Sequence, residues 1–126
     1  MSLRTPLGRV RGLGSAKEGT AHWWAQRLTA IALVPLVIWF AVSLIMLTGA
    51  DHEAVTAWLG DPAAAVFMLL LILAGFHHAQ LGMQVVIEDY VHAEWLKIAL
   101  VTAVKFAAVA LGIGAAFSVL KLALGG

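Results

Sequence analysis

No cysteine occurs among the 126 residues, which excludes a disulfide, a thiolate-held iron–sulfur cluster and a thiol nucleophile within this chain. Charge is scarce too. Asp, Glu, Lys and Arg make up 12% of the sequence, about half the share usual in a globular domain. The formal net charge is +1, with no basic cluster of the size that nucleic-acid binding requires. Polar sequence is so short that almost nothing remains from which to build a soluble domain.

What is present is apolar: 62% of residues are hydrophobic. Three stretches, Leu28 to Thr48, Pro62 to Ile87 and Ile98 to Leu120, each reach the ~20 helical residues needed to cross a hydrocarbon core. The interruptions, Gly49 to Asp61 and Glu88 to Lys97, carry the acidic residues and read as hairpin connections. The expected fold is therefore an all-α integral membrane protein, a single domain over 1–126. Its three antiparallel transmembrane helices are expected at about 22–48, 62–88 and 97–121, following a segment 1–21.

Orientation follows from the basic residues. Arg4, Arg9, Arg11, Lys17 and Arg27 precede or open the first span, the first loop has no Lys or Arg, and Lys97 belongs to the second loop. The amino terminus and second loop are accordingly expected on the cytoplasmic side. Lys121 is a minor exception, and Lys105, about two turns into the third span, can snorkel to that same surface. The first apolar run is longer than a signal core and has no small-residue cleavage site, so it is expected to stay as an anchor.

Residues 1–19 mix glycine, serine and proline with basic residues, a composition expected to drape over a partner or the bilayer surface. The piece GLGSAKEG lacks the preceding strand and the third glycine of a nucleotide-binding loop, and that reading is set aside. Trp23, Trp24, Trp58 and Trp95 flank the spans as interface aromatics. Pro35 removes one hydrogen bond from the first helix. Ala108, Gly112 and Ala116, spaced by four, form a small-residue strip for close helix approach.

The chemistry concentrates in His77 to Tyr90, HHAQLGMQVVIEDY. At 100° per residue, His78, Gly82, Val85 and Asp89 share one face, Asp89 returns to within ~20° of His78, and the two stand ~16 Å apart along the axis. A protonated imidazole is costly at that depth, and a neutral one needs a partner. One reading is axial ligation of haem iron, for which Gly82 leaves room; the other is a histidine hydrogen-bonded to a neighbouring helix. Adjacent His77 and His78 diverge by 100° and cannot both ligate one iron. Arg27 is either a topological anchor or the partner of an anion such as a haem propionate. Tyr90 is either an interface aromatic or a hydrogen-bond donor to a quinone carbonyl, and Asp89 a solvated carboxylate or a proton relay beside it.

HAQLGMQVVIEDY, from His78 to Tyr90, resembles the second-helix signature of the hydrophobic membrane anchor (D) subunits of succinate dehydrogenase, respiratory complex II. GTAHWWAQRLTAIALVPL, Gly19 to Leu36, is similar to that family's entry into its first helix. The resemblance implies a helper chain in a four-subunit complex of flavoprotein, iron–sulfur protein and two anchors in the bacterial inner membrane, with FAD and iron–sulfur clusters confined to partner subunits. It implies that electrons from succinate reach ubiquinone on the cytoplasmic side. It also implies that His78 is one axial ligand of haem b, that a cytochrome b partner anchor supplies the other, that Tyr90 with adjacent Asp89 lines the quinone site, and that Arg27 lies near the haem propionates. His77 departs from the pattern, since a one-residue shift would exchange the ligand; the spacing to Gly82 and the angle to Asp89 favour His78.

Competing readings are a fumarate reductase anchor, a homodimeric b-type cytochrome, and a small transport subunit with His78 in a proton path and no haem. No succinate-oxidising chemistry is expected in this chain alone.

Overall fold

The computed structural model of the chain describes residues 5–7 and 17–125. Arg4, Arg9 and Arg11, and with them most of the expected surface-draping segment, lie outside the described residues. Helix α1 runs Lys17–Met46, α2 His52–Gly60, α3 Pro62–Tyr90 and α4 Glu94–Ala123. No strand occurs among the described residues. Three of these helices, α1 from Gly19, α3 and α4, are long and apolar enough to cross a membrane. At 1.5 Å per residue the 29 residues of α3 extend ~44 Å, more than the ~30 Å of a hydrocarbon core, so each end reaches the headgroup region. Continuous helix is what such a medium demands, because a backbone N–H or C=O left unpaired in lipid has no water to satisfy it.

The segment between the first two spans is more ordered than a simple hairpin. Asp51 caps α2 by accepting a hydrogen bond from the Ala54 N–H at 2.9 Å, with Glu53 in the first turn. Asp61 then ends α2 and starts α3, accepting from the Ala64 N–H at 3.2 Å immediately before Pro62 at the first helical position. Each carboxylate satisfies an orphan amide at a helix start and lies favourably in the helix dipole. Gly49, with φ of 82°, makes the left-handed turn that separates α1 from the Asp51 cap. Between α3 and α4 only Val91 to Ala93 are non-helical. The α1 helix also starts at Lys17, upstream of where hydropathy alone opens the span.

Helix α3 is the centre of the arrangement. It packs against both α1 and α4, α2 caps the far end against α3 and α4, and α1 and α4 do not meet one another among the described residues. Leu33 lies by Gly75, Thr29 by His78 and Gln26 by Gly82, so residue numbers rise along α1 as they fall along α3. Trp39 of α1 stacks on Trp58 of α2, with ring centroids 5.6 Å apart, and meets Phe67 of α3 edge-on at 5.4 Å. Trp39 therefore ties three helices together.

The small-residue strip of α4 is used at Gly112, which is buried. A Cβ placed there would stand 3.7 Å from the Phe76 ring, an ordinary contact, whereas any larger group would enter the ring's volume. Few side chains are fully buried, and the apolar ones among the described residues are Leu59, Ala64, Ala65, Leu81, Ile87 and Val119. The outer faces of α1 and α4 present Ile31, Val34, Ile38, Phe106, Ile113 and Phe117 to the surroundings.

Gly112→Ala is expected to be nearly neutral, while Gly112→Leu should destabilise the α3–α4 pair by about 1–3 kcal/mol through overpacking. Thermal unfolding of the detergent-solubilised chain checks this, and equal behaviour of the two variants would place the strip outside the packing.

Candidate functional site

An intramembrane histidine must find a partner, and His78 finds one on α1. Its Nδ1 lies 3.0 Å from the Thr29 Oγ1, a bond between positions 49 residues apart in sequence. Centring α3 on the bilayer puts His78, twelve residues before Tyr90, ~11 Å inside the hydrocarbon boundary. There each polar atom's partner matters more than it would at a surface.

The protonation of that pair follows from Thr29. Its hydroxyl donates to the Ala25 carbonyl at 2.7 Å, with a longer approach of 3.1 Å to the Gln26 carbonyl. A hydroxyl has one hydrogen. With it directed to the backbone one turn back, Oγ1 accepts from His78, an assignment by hydrogen-bond geometry that puts the imidazole hydrogen on Nδ1 and leaves Nε2 as a bare lone pair. Among the described residues, His78 makes no other hydrogen bond. The hydrogen-bonded histidine and the ligand histidine are therefore compatible, since they use opposite nitrogens of the same ring.

Gly82, one turn along the same face, is covered by Gln26 of α1, whose Nε2 would lie 3.9 Å from an added Cβ. This glycine therefore faces α1. Gln26 Oε1 and His22 Nε2, one turn apart on α1, are buried and have no hydrogen-bond partner among the described residues.

The remaining candidates are spread out. Asp89 and Tyr90 close α3, both exposed, Tyr90 at 77%. Arg27 sits two residues before Thr29, hence 200° round α1 and away from α3; its guanidinium carbon is 5.3 Å from the Trp23 ring centre, a cation–π contact. The chain does not bring Arg27, His78 and Tyr90 into a single pocket. Among the described residues there is also no group of three or more His, Asp or Glu able to hold a bare metal ion.

His77, 100° away, enters different surroundings. It lines a groove of about 640 Å3 with His22, Gln80, Gln84, Glu88 and Lys105. Along that face Gln80 donates to Gln84 Oε1 at 3.1 Å and Gln84 donates to Glu88 Oε1 at 3.0 Å. A second, mostly apolar groove of about 390 Å3 continues deeper between α3 and α4, past Phe76, His77 and Gly112. Lys105 borders both grooves, where the polar one meets the apolar one.

Two residues escaped the reading of sequence alone. Thr29 is the only polar side chain between Leu28 and Ile38, and that isolation is the signal that could have marked it. Gln26 belongs to the same face of α1, one turn earlier, and its i, i+3 spacing from Thr29 could have marked it as part of the stripe meeting α3.

Three span-capable helices, a hydrogen-bonded histidine on the central one and wide apolar flanks define a multi-pass membrane protein. The sequence comparisons refine that class: residues 1–112 match the family described as succinate dehydrogenase/fumarate reductase transmembrane subunit, and the chain belongs to that family. It is 36% identical over 102 residues to the succinate dehydrogenase hydrophobic membrane anchor subunit of Rickettsia bellii (strain RML369-C), covering 81% of this chain and 82% of that one. The subunit of the same name from Paracoccus denitrificans is 34% identical over 102 residues, 81% of this chain and 79% of its own. The succinate dehydrogenase membrane anchor subunit of Reclinomonas americana is 29% identical over 85 residues, 65% and 71% of the two chains. No solved structure matches.

Proposed function

We propose that this chain is the hydrophobic anchor subunit of a bacterial inner-membrane succinate:quinone oxidoreductase, contributing one axial histidine to a haem b and one wall of a ubiquinone-reduction site. The observation that carries this reading is the arrangement of His78: Nδ1 committed to Thr29, Nε2 bare, and the ring within the apolar span. A neutral imidazole in that tautomer fits haem iron. One histidine makes only half of a bis-histidine site, so the second ligand would come from the partner anchor, a cytochrome b subunit. When bound, the haem would supply a one-electron carrier beside the quinone site.

The topology goes with this assignment. The opposed numbering of α1 and α3 contacts supports three antiparallel spans, and the excess of Lys and Arg at the amino end supports a cytoplasmic amino terminus. The exposed end of α3 then stands on the cytoplasmic side, where flavoprotein and iron–sulfur subunits would dock and deliver electrons taken from succinate. The named relatives are succinate dehydrogenase subunits, which favours succinate oxidation over fumarate reduction as the direction. This chain anchors; the oxidation of succinate belongs to the partners that hold FAD and the iron–sulfur clusters.

Roles in this chain divide by position. The Tyr90 hydroxyl, exposed at the end of α3, donates a hydrogen bond to a quinone carbonyl and stabilises charge as it develops on reduction. Asp89 orients that site or passes protons to it, as quinone reduction consumes two. Arg27 keeps its planar set of donors on the side of α1 turned from α3, suited to an anion such as a haem propionate held between the two anchors.

Purified from native membranes with its partners, the complex should contain flavin, iron–sulfur protein and a low-spin b-type haem; an absorption spectrum without haem bands would defeat the ligand assignment. His78→Ala should abolish or strongly diminish that haem signal while His77→Ala leaves it in place, and the reverse result would move the ligand by one residue. Tyr90→Phe should slow quinone reduction by about 10- to 100-fold, the worth of one hydrogen bond to a charged group, with succinate oxidation by artificial acceptors retained. Equal loss of both activities would assign Tyr90 to assembly.

A further inference from the structure

We propose that Thr29 is a positioning residue for the haem ligand, setting the tautomer and ring orientation of His78 before any haem arrives. The proposal rests on the reading of His78 as an axial ligand, and the geometry behind it is independent of that reading. A free imidazole exchanges its hydrogen between two nitrogens, and only the Nδ1–H form presents Nε2 to a metal. Thr29 holds that form. Its hydroxyl hydrogen is spent on Ala25 O at 2.7 Å, so the oxygen 3.0 Å from Nδ1 is an acceptor for the ring and cannot donate to it.

Three features make the device specific. Thr29 is β-branched and half-buried in a helix, so its χ1 is restricted and its backbone-bonded hydroxyl is not a free rotor. From Ala30 to Ile38 the side chains of α1 are all apolar, and the other polar side chain on this face of α1 is Gln26, one turn earlier. Finally, Gly82 and Gly75, one turn on either side of His78, lie against Gln26 and Leu33 of α1. At this height a short threonine side chain spans the gap between the two helices.

The chemical consequence concerns the iron's preference for oxidation state. An Nδ1–H that donates to oxygen makes the imidazole more electron-rich and Nε2 a stronger donor, which favours ferric over ferrous haem. Removing the acceptor should weaken the ligand, raise the midpoint potential and let the ring rotate.

The test uses the whole complex carrying Thr29→Val, which keeps the shape and loses the hydroxyl, beside Thr29→Ser, which keeps the hydroxyl. Redox titration of the haem and low-temperature EPR of its ferric form are the readouts, neither of which depends on turnover. Thr29→Val should lower the ferric-over-ferrous preference about tenfold, an upward shift of about 59 mV for one electron, with altered g-values, and Thr29→Ser should restore both. If valine does not pack, Thr29→Ala asks the same question. Wild-type potential and g-values in a haem-containing Thr29→Val or Thr29→Ala complex would overturn the proposal while leaving His78 as ligand. Assembly lost in both, yet native in Thr29→Ser, would also overturn it, reducing the hydroxyl to a packing role. Absence of haem from the wild-type complex would overturn the ligand reading itself.

Discussion

Lipid offers a buried polar group no water, and the Thr29–His78 bond is where that constraint shapes this chain most. An imidazole within the hydrocarbon layer must have its N–H accepted, and here the acceptor, the Thr29 hydroxyl, comes from another helix. That bond fits α1 against α3 at one height and one rotation. Leu33 and Gln26 fall into register with the glycines at positions 75 and 82. The interaction is worth only about 1 kcal/mol in a membrane, yet it selects among helix pairings that apolar packing alone would leave nearly equivalent.

The same constraint explains why so few side chains are fully enclosed. With α3 central and α1 and α4 on separate flanks, each outer helix buries one stripe and leaves most of its circumference to the surroundings. Lipid accepts such a surface at no cost, as does another apolar helix. Close helix contact here depends on shape, hence the pairing of Gly112 with the Phe76 ring and of Trp39 with both Trp58 and Phe67.

Much of this was legible in the sequence because hydropathy and the 100° step operate over long, regular helices. Three spans followed from three apolar runs, and the separation of His77 from His78 followed from angle alone. The α2 helix was not anticipated: acidic residues between Gly49 and Asp61 suggest a solvated loop, although Asp51 with Glu53 and Asp61 with Pro62 are helix-start signals in their own right. Composition outweighed capping in that reading. The groove around His77 escaped for another reason. Angle gives the direction in which a side chain leaves its own helix, but not that Lys105 of α4 and His22 of α1 arrive there to meet it. Thr29 is the same case, since its value depends wholly on what lies opposite.

The division between His77 and His78 shows how one residue step separates two kinds of polarity in a membrane helix. His77 lines an open groove with amides, a carboxylate and a lysine. His78 has a single partner among the described residues, and that partner's only hydrogen is already engaged. An imidazole constrained by one acceptor has a defined bare nitrogen; one in a polar groove can exchange between forms. Ligation of a metal centre requires the first situation. The motif from His78 to Tyr90 therefore has meaning only together with Thr29 on the preceding helix, and the half-site proposed for this chain is made by two helices rather than by one.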